Sequence, residues 1–156
     1  WEGSGVDEMT LAAWERTFAI NMRSMFLCAR AAIPAMKQAR SGRIVNIAST
    51  AGQRGEAFHS DYAASKGAAI AFTRSLAVEL APHGIRVNCV APGWVDTEMC
   101  KGVFAQGGRE AIEKTIPMRR VGRPDEIASA VLFAASDLSS FMTGAVVSVN
   151  GGGVMA

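Results

Sequence analysis

Tyr62-Ala63-Ala64-Ser65-Lys66 is the stretch of this sequence best equipped for chemistry. Residues four apart on a helix share a face, so the Tyr62 hydroxyl and the Lys66 ammonium can address one site. A phenol titrates at about 10, too high for free proton exchange at neutral pH, and an adjacent cation stabilises the phenolate and lowers that value. Tyr62 is then a candidate general acid or base. Taken alone, the same spacing also fits an amphipathic helix with an exposed lysine and a partly buried tyrosine, which is its commoner use. Two further residues change the balance. Ser49 follows a strand-like run and could hydrogen-bond a substrate oxygen held against Tyr62, although serine there is also an ordinary turn or cap residue. Asn21 lies within a helical pattern and could hold a water or a carbonyl near Lys66, although a mid-helix asparagine is most often simply solvated.

The elements that must position these groups follow from periodicity. Leu11, Trp14, Phe18, Met22, Met25, Phe26, Ala29, Ile33 and Met36 recur at three- and four-residue steps, which predicts a long amphipathic helix over residues 10–39. Ser41-Gly42 ends it, and the β-branched run 43–48 reads as a strand buried on both faces. A loop with Gly52 and Gly55 leads to a second helix over 61–81, rich in Ala and Leu and closed by Pro82 and Gly84. Residues 85–90 form a second strand, and Pro92-Gly93 turns the chain into an irregular stretch with a short helix near 109–114. Pro124-Asp125-Glu126 starts a third long helix, running to about residue 136, with proline at its first position and acids where the helix dipole favours them. Residues 145–149 form the last strand. This alternation predicts an α/β fold with a parallel sheet covered by helices, one half of a doubly wound architecture. In such sheets ligands bind beyond the carboxyl ends of the strands. Ser49, Pro92 to Thr97 and Asn150 to Gly153 each follow a strand and should converge there.

Asn21, Ser49, Tyr62 and Lys66, with Gly42-Arg43-Ile44-Val45-Asn46-Ile47 before the serine, resemble the catalytic tetrad of the short-chain dehydrogenase/reductase family, including the serine-to-tyrosine separation. The run from Arg86 through Pro92-Gly93-Trp94-Val95-Asp96-Thr97 resembles the family's segment that holds the nicotinamide end of NAD or NADP, and Asn150-Gly151-Gly152 resembles the end of its last strand. The resemblance implies a Rossmann-like domain that interconverts a carbonyl and a secondary alcohol. Tyr62 would exchange the proton, Lys66 would lower its pKa and bind the nicotinamide ribose, Ser49 would bind the substrate oxygen, and Asn21 would position a proton-relaying water. Tyr62, Lys66, Pro92, Gly93, Val95 and Thr97 would contact the cofactor. The text looks closest to the 3-oxoacyl-carrier-protein reductase branch and to related sugar and polyol dehydrogenases. In that reductase branch two basic positions help dock the acidic acyl carrier protein. Arg40 matches one, and His83 stands where the other is usually arginine; both are equally readable as solvated surface residues.

The glycine-rich turn and helix that would cradle a diphosphate are not found in these 156 residues. Gly3-Ser4-Gly5 precedes no suitable helix, and the family's Asn-Asn-Ala-Gly segment is also missing. The expectation is therefore that residues 1–156 are the carboxyl-terminal part of a single Rossmann-fold domain, supplying strands like the family's fifth, sixth and seventh, with Trp1 an edge rather than a protein start. Strand 43–48 would then lack one neighbour and expose an apolar edge. A second reading follows: a non-catalytic chain that keeps only oligomer-forming helices. Ala63, Ala64, Gly67, Ala68, Ala69 and Ala71 offer a small-residue surface for close helix packing, and the resemblance implies a homodimer or homotetramer through helices 10–39 and 61–81.

Composition narrows the remaining classes. The chain is 49% hydrophobic and 19% charged, enough apolar material for a core. Sixteen basic against fourteen acidic residues leave a net charge of +2, too small and scattered to support nucleic-acid or membrane-surface binding. No apolar run is long enough for a membrane helix, and Trp1-Glu2-Gly3-Ser4-Gly5 lacks the features of a signal peptide. Cys28, Cys89 and Cys100 show no paired spacing and suit a reducing cytoplasm. His59 and His83 form no ligand cluster with them, so no metal site is expected.

Overall fold

The computed structural model describes residues 3–155; Trp1, Glu2 and Ala156, and with them the reading of Trp1 as an edge, lie outside the described residues. Three parallel strands form the sheet, in the order β1 (Gly42–Ile47), β2 (Ile85–Pro92), β3 (Val146–Val149). The register pairs Gly42 with Ile85 through Ile47 with Val90, and Cys89 with Val146 through Pro92 with Val149. β2 is central, and all its residues except Arg86 and Pro92 are buried. β1 is an edge strand among the described residues, and Ile47 at its carboxyl end is partly exposed.

The expected helix over 10–39 is present with one local change. α1 (Leu11–Phe18) starts at Thr10, whose hydroxyl accepts the Ala13 N–H. It passes through a π-helical turn (Ala19–Arg23) into α2 (Ser24–Ala39), which carries Pro34 without ending there. Periodicity does not reveal the widened turn, and Asn21 sits at its centre. The stretch after β1, read as a loop, contains the short helix α3 (Thr50–Arg54). α4 (Ser60–Leu80) is the second long helix, and the segment after β2 folds as α5 (Lys101–Phe104) and α6 (Gly108–Thr115). α7 (Pro124–Ala135) begins at the proline as the sequence indicates.

Side chains alternate along β2, and the two faces carry different chemistry. Ile85 and Val87 pack with Ala29, Leu76, Ala77 and Leu80, while Cys89 and Ala91 pack with Ala48, Ala69 and Ile70, which places α2 and α4 on one face. On the other face Arg86 donates to the carbonyls of Ala134, Ser136 and Met142 and to the Ser139 hydroxyl. Asn88 donates to the Met142 carbonyl and accepts the Ala145 N–H. These bonds fasten the end of α7 and the turn into β3, so helices cover both faces, as the doubly wound reading requires. Within the motif Arg86 to Thr97, Arg86 and Asn88 are therefore scaffold.

Candidate active site

Of the residues expected to do catalysis or contact cofactor, all except Asn21 line one cavity at the carboxyl ends of β1 and β2. Its volume is about 390 Å³, and its walls include Ser49, Tyr62, Lys66, Pro92, Gly93, Val95 and Thr97. Each arrives for a local reason. The β1 ladder runs on through the Ala48 N–H bond to the Val90 carbonyl at 2.8 Å, and Ser49 then caps α3, its hydroxyl accepting the Ala51 N–H at 3.1 Å. A turn residue and a cavity residue are thus the same serine. Tyr62 stands in the first turn of α4 and Lys66 one turn later. Lys66 Nζ donates to the Ile47 carbonyl at the end of β1, 3.0 Å away, and lies 5.7 Å from the centre of the Tyr62 ring. Opposite, the Gly93 N–H continues the sheet by donating to the Val149 carbonyl, and the Thr97 hydroxyl reaches the Val95 carbonyl and the Cys100 thiol.

The electrostatics correct one expectation. Tyr62 was expected to have a lowered pKa from its neighbouring lysine, but burial pushes the phenol above its ordinary value of 10. The hydrogen bond with Ser49 pulls the other way, and the negative forms of Cys100 and Glu56 push in the same direction as burial. Lys66 itself is lowered by burial. Its ammonium is engaged by the Ile47 carbonyl and faces the ring rather than dominating the hydroxyl, so desolvation decides both shifts.

Asn21 is not a wall of the cavity. Its Nδ2 donates to Ser65 Oγ at 2.8 Å, the residue before Lys66, so it meets α4 away from the cavity. Asn150 comes close as expected: a β-carbon at Gly93 would lie 2.8 Å from Asn150 Cβ, and Asn150 and Gly151 line a smaller neighbouring cavity of about 100 Å³ that shares Trp94 and Ile127 with the main one. Arg40 and His83 lie just before the amino ends of β1 and β2, at the opposite end of the sheet from Ser49, with Arg40 donating to the Pro82 carbonyl.

The sequence did not single out several walls. Arg54 and Glu56 form a 2.7 Å ion pair within the cavity lining, and Met99, Cys100 and Ile127 supply apolar surface. Only their membership of the segments after β1 and β2 could have marked them. Among the described residues no group of three or more His, Cys, Asp or Glu could hold a metal ion, and no helix is long and apolar enough to cross a membrane.

A family model described as Enoyl-(Acyl carrier protein) reductase matches residues 2–153. The chain is 44% identical over 144 residues to a 3-oxoacyl-[acyl-carrier-protein] reductase FabG of Chlamydia muridarum, covering 92% of this chain and 58% of the relative. This chain belongs to the short-chain dehydrogenase/reductase family. Other members matched include Nodulation protein G of Azospirillum brasilense, 40% identical over 145 residues, and a Cis-4-hydroxycyclohexanecarboxylate dehydrogenase of Sinomonas cyclohexanicum, 43% identical over 145 residues. Each covers 93% of this chain and 58% of the relative. The chain thus spans about three fifths of the length of these short-chain dehydrogenase/reductase relatives.

Proposed function

We propose that this chain is the carboxyl-terminal part of a single Rossmann-fold oxidoreductase domain that interconverts a carbonyl and a secondary alcohol with NAD or NADP. The observation that carries this reading is the shared cavity of Ser49, Tyr62, Lys66, Pro92 to Val95 and Thr97. The donor set suits the nicotinamide end of such a cofactor. Lys66 and Tyr62 offer hydrogen-bond donors for ribose hydroxyls, and Pro92, Gly93, Val95 and Thr97 offer backbone groups and one hydroxyl for the carboxamide and diphosphate side. Among the described residues no glycine-rich turn leads into a long helix, so the adenosine half is assigned to sequence outside this chain.

When bound, the dinucleotide supplies or accepts the hydride. The chain's own residues handle the oxygen and its proton. Ser49 donates a hydrogen bond to the substrate oxygen, and Tyr62 protonates the developing alkoxide or, in reverse, deprotonates the alcohol. Half-buried Lys66, its ammonium 5.7 Å from the centre of the ring, opposes part of the cost of a phenolate in this apolar site. Asn21 is assigned a water on the path from Lys66 to solvent.

The substrate class favoured is a 3-oxoacyl thioester, on the several reductase relatives whose names specify it. Acyl carrier protein is then a partner, and a cytoplasmic homodimer or homotetramer is the assembly expected from the family. The dehydrogenase relative supports the alternative of a small alcohol, and sugars and polyols are the other substrates of that alternative. The full-length protein supplied with NADPH or NADH and a panel of 3-oxoacyl thioesters, cyclic ketones and sugars should oxidise the dinucleotide fastest with the thioesters. Faster turnover of the ketones or sugars would transfer the assignment to the alternative, and no turnover of any would overturn the oxidoreductase reading.

A further inference from the structure

Two polar rungs join the first long helix to the start of α4. Thr17 Oγ1 donates to Asp61 Oδ2 at 2.6 Å, and one turn further along both helices Asn21 Nδ2 donates to Ser65 Oγ at 2.8 Å. Tyr62 stands between Asp61 and Ser65 in that first turn. Ser65 is fully buried, and its one hydroxyl proton is committed to the Tyr62 carbonyl at 2.8 Å. Its oxygen can therefore only accept from Asn21, which fixes the asparagine amide with its NH2 towards α4 and its carbonyl turned away.

The geometry points to Thr17, Asp61 and Ser65 as positioning residues that hold the Tyr62 phenol against Ser49 by clamping the start of α4 onto α1 and the π-helical turn that follows it. This rests on the reading of Tyr62 as the proton-transfer group, and it assigns roles to three residues beyond the tetrad. The first turn of a helix is its least constrained part, because its N–H groups lack partners within the helix. The rungs tie the side chains at the start of α4 to the neighbouring helix. The π-helical turn brings Asn21 to the second rung, with Thr17 one turn before it.

Tyr62 is the only tyrosine of these 156 residues, so no second phenol within them competes with its signal. Ser49, Lys66, Cys100 and Glu56 face the Tyr62 ring, and none of these belongs to a rung. The test is a pH titration of ring-labelled tyrosine by NMR in the full-length protein, with the Tyr62 signal assigned by its loss in Tyr62→Phe, comparing Thr17→Val, Thr17→Ser and Ser65→Ala. With the clamp loosened, the ring gains solvent, so its midpoint should fall towards the ordinary phenol value in Thr17→Val and Ser65→Ala and stay raised in Thr17→Ser. An unchanged midpoint in Thr17→Val would overturn the proposal, and that pair decides the matter even if Ser65→Ala does not fold.

In the full-length protein, reducing acetoacetyl-coenzyme A, Thr17→Val should lower kcat about 10- to 100-fold with the dinucleotide KM little changed. Equal loss in Thr17→Ser would also overturn the clamp. Tyr62→Phe run alongside separates the two claims. Full activity in that variant refutes the role of Tyr62 itself, whereas a dead Tyr62→Phe with an unaffected Thr17→Val refutes only the clamp.

Discussion

Gly52 lies directly on the backbone of Lys66. A β-carbon at residue 52 would come within 2.5 Å of the Lys66 carbonyl carbon and 2.7 Å of the Gly67 nitrogen. The helix that carries Ser49 at its cap therefore packs on the helix that carries Tyr62 and Lys66 with no room for a side chain. Backbone cannot move aside as a flexible side chain can. Gly52→Ala should destabilise the fold by about 1–3 kcal/mol as overpacking. It should also depress turnover in the full-length protein by separating Ser49 from Tyr62. Thermal unfolding and kcat measured together check this; a variant as stable and as active as the parent would contradict the close packing.

Ser49 has two separable duties. Its hydroxyl caps α3 and bonds Tyr62. Ser49→Ala should cost about 1 kcal/mol of stability through the lost cap. It should cost far more in kcat, about 100-fold, through the lost bond to the substrate oxygen. Ser49→Asp or Ser49→Asn would retain a capping oxygen, so stability should return without turnover. Denaturant midpoints and kcat on the same preparations separate the two effects.

Burial raises the Tyr62 phenol, and the sign of the pH dependence follows. Reduction of a carbonyl needs the protonated phenol, so its rate should hold into alkaline solution and fall only above pH of about 10. Oxidation of the alcohol needs the phenolate and should rise with pH over the same range. For stability, a raised folded value contributes fully below the ordinary phenol value and is lost as pH rises through the folded one. Tyr62→Phe should remove that alkaline loss. Rate profiles in both directions and unfolding between pH 8 and 11 (roughly the span of phenol titration) are the measurements.

The order of strands and long helices was legible because each follows from periodicity or punctuation. Pro124 starts α7 and Gly42 opens β1 where the sequence indicates. The cavity was legible because Ser49, Tyr62, Lys66 and Pro92 to Thr97 all sit at strand ends or on one helix face. What stayed hidden depends on groups distant in sequence. The Asn21 amide finds Ser65 only through the packing of two helices, and α3 is too short to show a period. The direction of the Tyr62 shift depends on burial, which the spacing of Tyr62 and Lys66 does not encode. Arg86 and Asn88 sit within the motif expected to hold cofactor, yet their partners are carbonyls of the far turn.

Glu126 governs the opening of α7, which contributes Pro124 and Ile127 to the cavity wall. Its carboxylate takes two bonds from Arg120, at 2.6 and 2.8 Å, and one from the Arg123 N–H at 2.8 Å. The Arg120 bonds, followed by the Arg123 N–H, lower its pKa from 4.5 to about 2. A lowered value contributes stability above pH 4.5 that is lost as pH falls towards about 2. Glu126→Gln should melt below the parent at pH 6, and the gap should close on acidification. A gap independent of pH would show that the ion pair is not its source.

The central claim is that Tyr62 is the proton-transfer group of a site completed by Ser49 and Lys66. Its most direct measurement is the single-turnover hydride-transfer rate of Tyr62→Phe in the full-length protein, with dinucleotide affinity determined separately. Loss of the phenolic proton should lower that rate by about 100- to 10,000-fold while the dinucleotide still binds. A rate within a few-fold of the parent, with binding intact, would contradict the account.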